Sequence, residues 1–134
     1  MSLDMYAEEL IYNYEHPDSK GSIENASATK HEENVSCGDT ITVFLKIENG
    51  KVIDAKFDGS GCIISMGVAN MLMNYLKGKS IEEVERITKE ELLNIINMDP
   101  GPARMHCATL SLKAVKEAVF AYEKKPISTD TKEL

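Results

Sequence analysis

Apolar and polar residues alternate most clearly in the middle of the chain, in the run TITVFLKI and again in VIDAKF. Alternation with period two places successive side chains on opposite faces of a β-strand, so each run predicts a strand with one buried face. The two runs flank Asn49 and Gly50, a pair that tolerates the positive φ angles of a type I′ turn. The pattern therefore predicts an antiparallel hairpin whose apolar face is covered by helices.

Apolar residues recur at helical spacing in three further segments. The first, MYAEELIYNYEHP, predicts a helix that ends before Pro17. The second follows Cys62 and ends at Gly78, and the third is a long last helix that starts near Arg104. The apolar positions that define these helices are Met5, Leu10, Ile11 and Tyr12 in the first, Val68, Leu72, Tyr75 and Leu76 in the second, and Ala108, Leu112, Val115, Val119 and Tyr122 in the third.

Local signals define the connections between these elements. Ser80 with Glu83, and Thr88 with Glu91, show the hydroxyl-x-x-Glu pattern of a capping box, which predicts two short helices. The two prolines in NMDPGPA then prevent a helix from continuing. The polar, turn-rich segment after the first helix predicts a loop with a short edge strand near residues 27–31.

Together these elements predict an α+β fold. We expect a small antiparallel sheet of about three strands, with several helices packed on one face and a long C-terminal helix. A length of 134 residues suits a single domain over residues 1–134, and 43% hydrophobic residues are enough for one core. Residues 1–3 are consistent with a cloning remnant, and we expect residues 126–134 to be a flexible tail.

Net charge, the length of the apolar runs and the N-terminal stretch limit which partners and which cell compartment we expect. A formal net charge of -7 repels phosphate backbones, and no stripe of Lys and Arg interleaved with aromatics reverses this locally, so nucleic acid is not expected as a ligand. No apolar stretch approaches the roughly 20 residues that a spanning helix needs, so no membrane partner is expected. The acidic N-terminal stretch lacks the features of a secretory signal, which predicts a cytoplasmic protein.

Three cysteines offer the most informative chemistry. Their odd number argues against a disulfide framework and favours reduced thiols. Cys37 and Asp39 would project the same way from an extended chain, and Gly38 between them permits a tight bend. Cys62 and Cys107 each lie at the predicted start of a helix. There, free backbone N–H groups and the helix dipole should lower the pKa of both thiols.

His106 precedes Cys107, and neighbouring residues in a helix point about 100° apart. Both side chains can therefore face one site only near the helix start, where the preceding prolines relax the geometry. Three thiolates with one carboxylate, Asp39, and one imidazole favour Zn(II) or an iron–sulfur unit over magnesium or calcium. A carboxylate in place of a fourth thiolate should make a cluster easier to release.

Each of these residues also has a simpler explanation. A single cysteine beside an apolar helix is about as often a small core residue as a ligand, His106 alone resembles an ordinary surface imidazole, and Asp39 could end a turn. The GSGC stretch resembles a phosphate-binding loop but lacks a Lys-Ser/Thr partner. A cysteine hydrolase that uses Cys107 or Cys62 with His106 as base is a further alternative, although no oxyanion motif accompanies it.

The cysteines lie in three segments, which are SCGDTITVFLKI, DGSGCIISMGVANMLMNYLKGKS and ARMHCATLSLKAV. Together these segments resemble the U-type iron–sulfur cluster assembly scaffold family, which includes IscU, SufU and the N-terminal domain of NifU. The likeness extends from YAEELIYNYEHPDSKGS to the last helix. It implies a scaffold, not an enzyme, that receives sulfur as a persulfide from a cysteine desulfurase, assembles a labile [2Fe–2S] cluster and hands it to acceptor proteins. The ligands of the family correspond to Cys37, Asp39, Cys62, His106 and Cys107.

The SufU branch implies a different activity. Its members are similar to this chain in GCIISM and ARMHCATL, and they imply a zinc-dependent sulfurtransferase in which Cys37, Asp39, Cys62 and Cys107 hold zinc and no cluster is built. That branch carries a long insertion between its second and third cysteines and lacks the histidine. Here the insertion is absent and His106 is present, so the ligand set is nearer to that of IscU.

Two further expectations follow from the resemblance. Cys107, at a flexible helix start, is our prediction for the first persulfide acceptor. IscU proteins engage a dedicated chaperone through a Leu-Pro-Pro-Val-Lys stretch, whereas this chain reads MDPGPAR, in which only Arg104 is basic. The sequence therefore does not predict dependence on that chaperone. Zinc in the protein as isolated would be compatible with either branch, because zinc can occupy a vacant scaffold site.

Overall fold

A computed structural model describes residues 3–134, with side chains described from residue 8 onward. One layer is an antiparallel sheet in the order β1-β2-β3, and helices cover one of its faces, which confirms the predicted α+β fold. The elements are α1 (Leu3–Glu15), β1 (Ala28–Asn34), β2 (Asp39–Glu48), β3 (Lys51–Ser60), α2 (Ile63–Leu76), α3 (Ile81–Glu85), α4 (Lys89–Ile96), a 3₁₀ turn (Pro102–Arg104), α5 (Met105–Tyr122) and α6 (Thr129–Lys132). Within the described part of the chain, no helix is long and apolar enough to cross a bilayer.

The predicted hairpin is formed by β2 and β3. Asn49 and Gly50 have φ angles of 53° and 73°, as both central residues of a type I′ turn require. The predicted edge strand is β1, which is longer than expected and pairs with β2 from Ala28 to Asn34. Asn34 lies opposite Asp39 at the end of this pairing, so residues 35–38 form the turn between the two strands.

Strict alternation along β2 builds the sheet side of the core. Its inward positions are all buried, and they are Asp39, Ile41, Val43, Leu45 and Ile47. Helix α5 covers β1 and β2, and helix α2 lies between β3, α5 and α1. Because it is enclosed on several sides, α2 is buried from Ser65 to Met73 rather than along the single predicted stripe.

The contact between α1 and α2 is close and narrow. A Cβ added to Gly67 would lie 2.7 Å from Leu10 Cδ1 and 2.9 Å from the Leu10 carbonyl oxygen, and because the second atom belongs to the backbone, glycine is needed for this approach. Leu10 is buried, but Ile11 and Tyr12 are 40% and 61% exposed, so the prediction that they share the buried face of α1 is wrong. The side chain of Met5 lies outside the described residues.

The capping predictions are confirmed at α3 and only half confirmed at α4. At α3, Ser80 and Glu83 form both bonds of the capping box. At α4, the Thr88 hydroxyl accepts from the N–H of Glu91, but the Glu91 carboxylate accepts a hydrogen bond of 3.1 Å from the Tyr75 hydroxyl. A tertiary partner on α2 therefore replaces the second local bond.

The segment after residue 125 contains structure that the sequence analysis did not anticipate. Four residues form α6, and Thr131 within it is fully buried against the rest of the chain. Helix α6 contacts α5, whose Lys116 donates a hydrogen bond to Asp130. The flexibility of this tail stays a prediction, but its contacts with α5 are specific.

Candidate metal centre

The first ligand candidate lies in the turn between β1 and β2. The N–H groups of Cys37 and Gly38 both donate to the carbonyl of Asn34, at 3.3 and 2.8 Å, and Gly38 has a φ of 76°. The chain is therefore tightly turned at Cys37, not extended as the strand-based prediction assumed. The curvature of the turn brings the exposed Cys37 thiol to 3.0 Å from Asp39 Oδ2, to which it donates a hydrogen bond.

Asp39 is the first inward position of β2 and is only 3% exposed. Its Oδ1 accepts the N–H of Cys62 at 3.2 Å, and its Oδ2 lies 3.7 Å from Cys62 Sγ. Burial raises the pKa of Asp39, but hydrogen bonds from Cys37, Ser65 and the Cys62 N–H outweigh it, so the net pKa is lowered. The carboxylate is thus a buried anion held by donors at the end of the core.

Cys62 is the N-cap of α2, as its position after GSG predicted. Its sulfur accepts the N–H of Ser65 at 3.5 Å and lies 3.4 Å from the Ser65 hydroxyl. Burial raises the pKa of the Cys62 thiol, but these hydrogen bonds outweigh both burial and the opposing charge of Asp39. The predicted lowering of the Cys62 pKa is confirmed, with the helix-start donors as its physical cause.

The Cys107 thiol differs from the Cys62 thiol in both its burial and the direction of its pKa shift. It lies in the first turn of α5 and is 3% exposed, with its sulfur 3.4 Å from that of Cys37 and 3.9 Å from the side-chain amide of Asn34. Burial, hydrogen bonding to Cys37 and the neighbouring thiolate charges raise the pKa of Cys107 to about 12. The prediction of a lowered pKa at Cys107 is wrong, because the side chain points into the protein among other acidic groups.

Four of the five predicted site residues converge. The Sγ atoms of Cys37 and Cys107 and a carboxylate oxygen of Asp39 all lie within 4.8 Å of one another, and Cys62 adjoins them through Asp39. His106 is not a member of this group, and its Nδ1 donates a hydrogen bond to the main-chain oxygen of Leu134 at 2.9 Å. The role of His106 as a ligand stays a prediction.

Three residues of the site were not identified from the sequence. Ser65 donates to Cys62, Asn34 lies beside Cys107, and Gly61 packs against Asp39. A hydroxyl residue three positions after an N-cap is a local signal that could have revealed Ser65. Asn34 and Cys107 are 73 residues apart, so nothing local could have linked them.

The site opens towards the surface beside apolar side chains. An open cleft of about 610 Å³ next to Cys62 is lined by residues of α1 and α2 that include Ile11, Tyr14 and Ile63. Val35, in the turn that carries Cys37, is 90% exposed. Exposed apolar residues thus lie next to two of the three cysteines.

The donor set has a clear chemical preference. Three soft thiols and a buried, ionised carboxylate are all ligand types that zinc and iron take in proteins. Three sulfurs and one oxygen also make up the four positions of a tetrahedral site. These residues fit either a zinc ion or an iron–sulfur cluster, and magnesium or calcium would be a poor match.

Comparison with known proteins shows what the chain is similar to. A family model for the NifU-like N-terminal domain matches residues 5–129. The iron-sulfur cluster assembly scaffold protein IscU of Thermotoga maritima is 33% identical in an alignment of length 131 that covers 86% of this chain and 92% of that protein. The zinc-dependent sulfurtransferase SufU of Bacillus subtilis is 33% identical in an alignment of length 136 that covers 89% of this chain and 92% of that protein.

A solved structure has the same architecture. The crystal structure from Fervidobacterium islandicum, described as an iron-sulfur cluster assembly scaffold protein for the SUF system, superposes with a TM-score of 0.70 at 27% identity. The superposition covers 88% of this chain and 99% of that one. From the family match over residues 5–129 and these relatives, the chain belongs to the U-type iron–sulfur cluster assembly scaffold family, which includes NifU-like N-terminal domains, IscU and SufU.

Proposed function

We propose that this chain is a non-enzymatic scaffold that accepts sulfur as a persulfide from a cysteine desulfurase, assembles a labile [2Fe–2S] cluster and transfers it to acceptor proteins. The observation that carries the proposal is the convergence of three free thiols and one ionised carboxylate at an accessible edge of the fold. These side chains come from the β1–β2 turn, β2, and the starts of α2 and α5. Such a convergence is typical of a metal site and unusual for core cysteines.

In this proposal Cys37, Cys62 and Cys107 ligate iron, and Asp39 or His106 completes the site. Asp39 already lies among the sulfurs, with a lowered pKa that keeps it anionic. Iron–sulfur clusters are usually held by four thiolates, and a carboxylate is a harder and weaker partner for such a unit. A fourth ligand of this kind favours release over permanent storage.

Sulfur delivery requires a thiolate that can reach the desulfurase. The acceptor thiolate attacks the outer sulfur of the desulfurase persulfide, a new S–S bond forms, and the desulfurase cysteine leaves as a thiolate. Cys107 stays our predicted first acceptor, and its burial and raised pKa mean that docking has to uncover it. Converting the persulfide to sulfide then takes two electrons from an external reductant.

The apolar surface beside the site suits transient protein contacts. Val35 and Ile63 are exposed next to Cys37 and Cys62, and the open cleft continues from Ile63 onto α1. Exposed apolar residues around a functional site are typical of interaction surfaces. We propose that the desulfurase and the acceptor proteins contact this surface in turn.

A zinc-dependent sulfurtransferase is the second candidate, and one observation favours it. The donor group consists of cysteines and Asp39, while His106 is bonded to Leu134. This is the ligand set of the zinc alternative, in which the chain relays persulfide sulfur and builds no cluster. Both candidates accept sulfur from a desulfurase, and they differ in cluster assembly.

Anaerobic reconstitution separates the two candidates. Zinc-free protein is incubated with ferrous iron, sulfide and a thiol reductant, and visible absorption, iron and acid-labile sulfide are measured before an apo acceptor is added. A scaffold gains a cluster that moves to the acceptor. A zinc-dependent sulfurtransferase gains no transferable cluster but raises desulfurase turnover only when zinc is bound.

A further inference from the structure

Two of the three free sulfurs are almost in contact with each other. Cys37 Sγ, in the turn between β1 and β2, lies 3.4 Å from Cys107 Sγ in the first turn of α5. A disulfide bond is about 2.05 Å long, so these two sulfurs are about 1.4 Å from bonding distance. Cys37 and Cys107 therefore form a closely spaced dithiol, although they are 70 residues apart in the chain.

The turn that carries Cys37 has room for a movement of this size. Cys37 is exposed, and the nearby Val35 is 90% exposed. A Cβ added to Gly38 would meet nothing within 4 Å, so the chain next to Cys37 borders open space. Cys107 is buried at the start of a long helix. We therefore expect Cys37 to be the sulfur that moves when the pair closes.

The third thiol has different neighbours. Cys62 Sγ accepts the N–H of Ser65 at 3.5 Å and lies 3.4 Å from the Ser65 hydroxyl. Its contact with the other ligand candidates is to Asp39 Oδ2, at 3.7 Å. The thiol that lies nearest to a sulfur bound at Cys107 is thus that of Cys37.

We propose that Cys37 and Cys107 together are the two-electron reductant that turns delivered persulfide sulfur into sulfide, an inference that rests on sulfur acceptance in the proposed function. In a Cys107 persulfide the inner sulfur is Cys107 Sγ, the atom 3.4 Å from Cys37 Sγ. Cys37 Sγ bonds to it, and the bond to the outer sulfur breaks. The outer sulfur leaves with the bonding electron pair and takes up the Cys37 proton. The products are a Cys37–Cys107 disulfide and hydrogen sulfide.

The same products form if the sulfur first reaches Cys37. Cys107 Sγ then bonds to Cys37 Sγ, and the outer sulfur leaves in the same way with the Cys107 proton. In both directions the two cysteine sulfurs are oxidised and the delivered sulfur is reduced. The result depends on the short distance between the two Sγ atoms and not on which of them accepts sulfur first.

The disulfide ends one cycle of sulfide release. Metal binds thiolates, so a chain with this disulfide has lost two of its three sulfur ligands. A dithiol reductant restores both thiols by thiol–disulfide exchange. The external reductant of the proposed function therefore supplies its two electrons to the disulfide, after the sulfide has been released.

The test follows sulfur through reduced, metal-free protein under nitrogen. One donor is a cysteine desulfurase that carries its persulfide and has been separated from L-cysteine, and the other is inorganic polysulfide, removed after loading. Wild type is compared with Cys37→Ser and with Ser36→Ala, the matched control at the exposed neighbouring position. Because Cys37 is itself exposed, its replacement by serine leaves the core unchanged. Sulfide from the desulfurase reaction is trapped with monobromobimane, and mass spectrometry of alkylated peptides locates persulfides and disulfides with both donors.

Wild type and Ser36→Ala should release one sulfide for each sulfur accepted and form the Cys37–Cys107 disulfide, which a dithiol then reopens. Cys37→Ser should accept sulfur as well as wild type does. It should hold that sulfur as a persulfide on Cys107 and release no sulfide until the dithiol is added. Retention of the persulfide distinguishes a lost reductant from a lost acceptor.

Three results would overturn the proposal. They are a wild-type persulfide that persists beside an alkylatable Cys37, equal release of sulfide by Cys37→Ser, and a disulfide that contains Cys62 in place of Cys37. Failure of the proposed function gives a different pattern, because the desulfurase would then load none of the three proteins. Polysulfide would still produce the Cys37–Cys107 disulfide in wild type and not in Cys37→Ser, which would support the reductant role by itself.

Discussion

Gly61 lies directly against Asp39: a methyl group added to its Cα would be 2.8 Å from Oδ1 and 2.6 Å from the Ser65 hydroxyl. Both distances are shorter than real Cβ contacts allow, so the carboxylate and the hydroxyl occupy space that only glycine leaves free. Gly61 therefore sets the position of Asp39 without offering a ligand atom of its own. Asp39 in turn holds Cys37 and Cys62 together.

Gly61→Ala should displace Asp39 and weaken metal binding. Substitutions in the shell that orients metal ligands typically cost about 10- to 100-fold in affinity, and we expect a loss in that range for zinc, measured by competition with a chromophoric chelator. Ser60→Ala, at an exposed neighbouring position, is the control. Unchanged zinc affinity in Gly61→Ala would show that the position of Asp39 does not matter for binding.

Asp39→Ala should make a reconstituted cluster longer-lived and slower to transfer, because it removes the hard carboxylate that we propose as the fourth ligand and that favours release. The decay of visible absorption and the rate of cluster uptake by an apo acceptor measure the two effects. Asp58→Ala, an exposed carboxylate on β3, is the matched control. A transfer rate equal to or faster than that of wild type would contradict this role for Asp39.

The metal-free cysteines should react with iodoacetamide in a definite order. Cys62 is partly exposed and its pKa is lowered, whereas Cys107 is buried and its pKa is raised to about 12, so Cys62 should be alkylated faster. Mass spectrometry of timed samples at neutral pH gives both rates. Addition of the desulfurase should speed labelling of Cys107 if docking uncovers it, as its predicted role in accepting sulfur requires. Faster labelling of Cys107 than Cys62 in the protein alone would contradict the geometry.

Stability should depend on pH through the carboxyl pair Glu32 and Glu117. Burial and the neighbouring carboxyl of Glu32 raise the pKa of Glu117 from 4.5 to about 7. A group with a raised pKa contributes stability that is complete below its unfolded value and is lost as the pH rises through its folded value. The free energy of unfolding should therefore fall between about pH 4.5 and pH 7, and Glu117→Gln should remove this fall.

Urea unfolding of wild type and Glu117→Gln at several pH values measures how the free energy of unfolding changes with pH. Glu24→Gln, at an exposed position in the loop before β1, is the control and should keep the slope of wild type. Parallel stability curves for wild type and Glu117→Gln would show that Glu117 titrates normally in the folded protein.

Local periodicity was enough to predict much of the framework. The alternation in residues 40–47 defines β2, and the positive φ angles at Asn49 and Gly50 close the hairpin as expected. The same alternation places Asp39 in line with Ile41, so the carboxylate faces inward for the same reason that the isoleucine does. The cysteines were found because their chemistry is rare and each stands at the end of an element.

The features that the sequence analysis did not predict depend on contacts between residues that are distant in the chain. The pKa of Cys107 is raised first by burial, which no local pattern reveals, and then by hydrogen bonding to Cys37, which is 70 residues away. The second capping box is incomplete because Tyr75, 16 residues away, binds the Glu91 carboxylate. The imidazole of His106 is hydrogen-bonded to the main-chain oxygen of Leu134, which is 28 residues away. Tertiary packing decides each of these, so neither helix propensity nor motif spacing could predict them.

The most direct test of the account is the number of thiolates that bind one metal ion. Cobalt(II) is added to the metal-free protein, and the intensity of thiolate-to-metal charge transfer is measured for wild type and for Cys37→Ser, Cys62→Ser and Cys107→Ser. The account predicts one tetrahedral cobalt site per chain and an equal loss of intensity in each variant, because all three sulfurs bind the same ion. Retention of the full wild-type intensity in any one variant would contradict it.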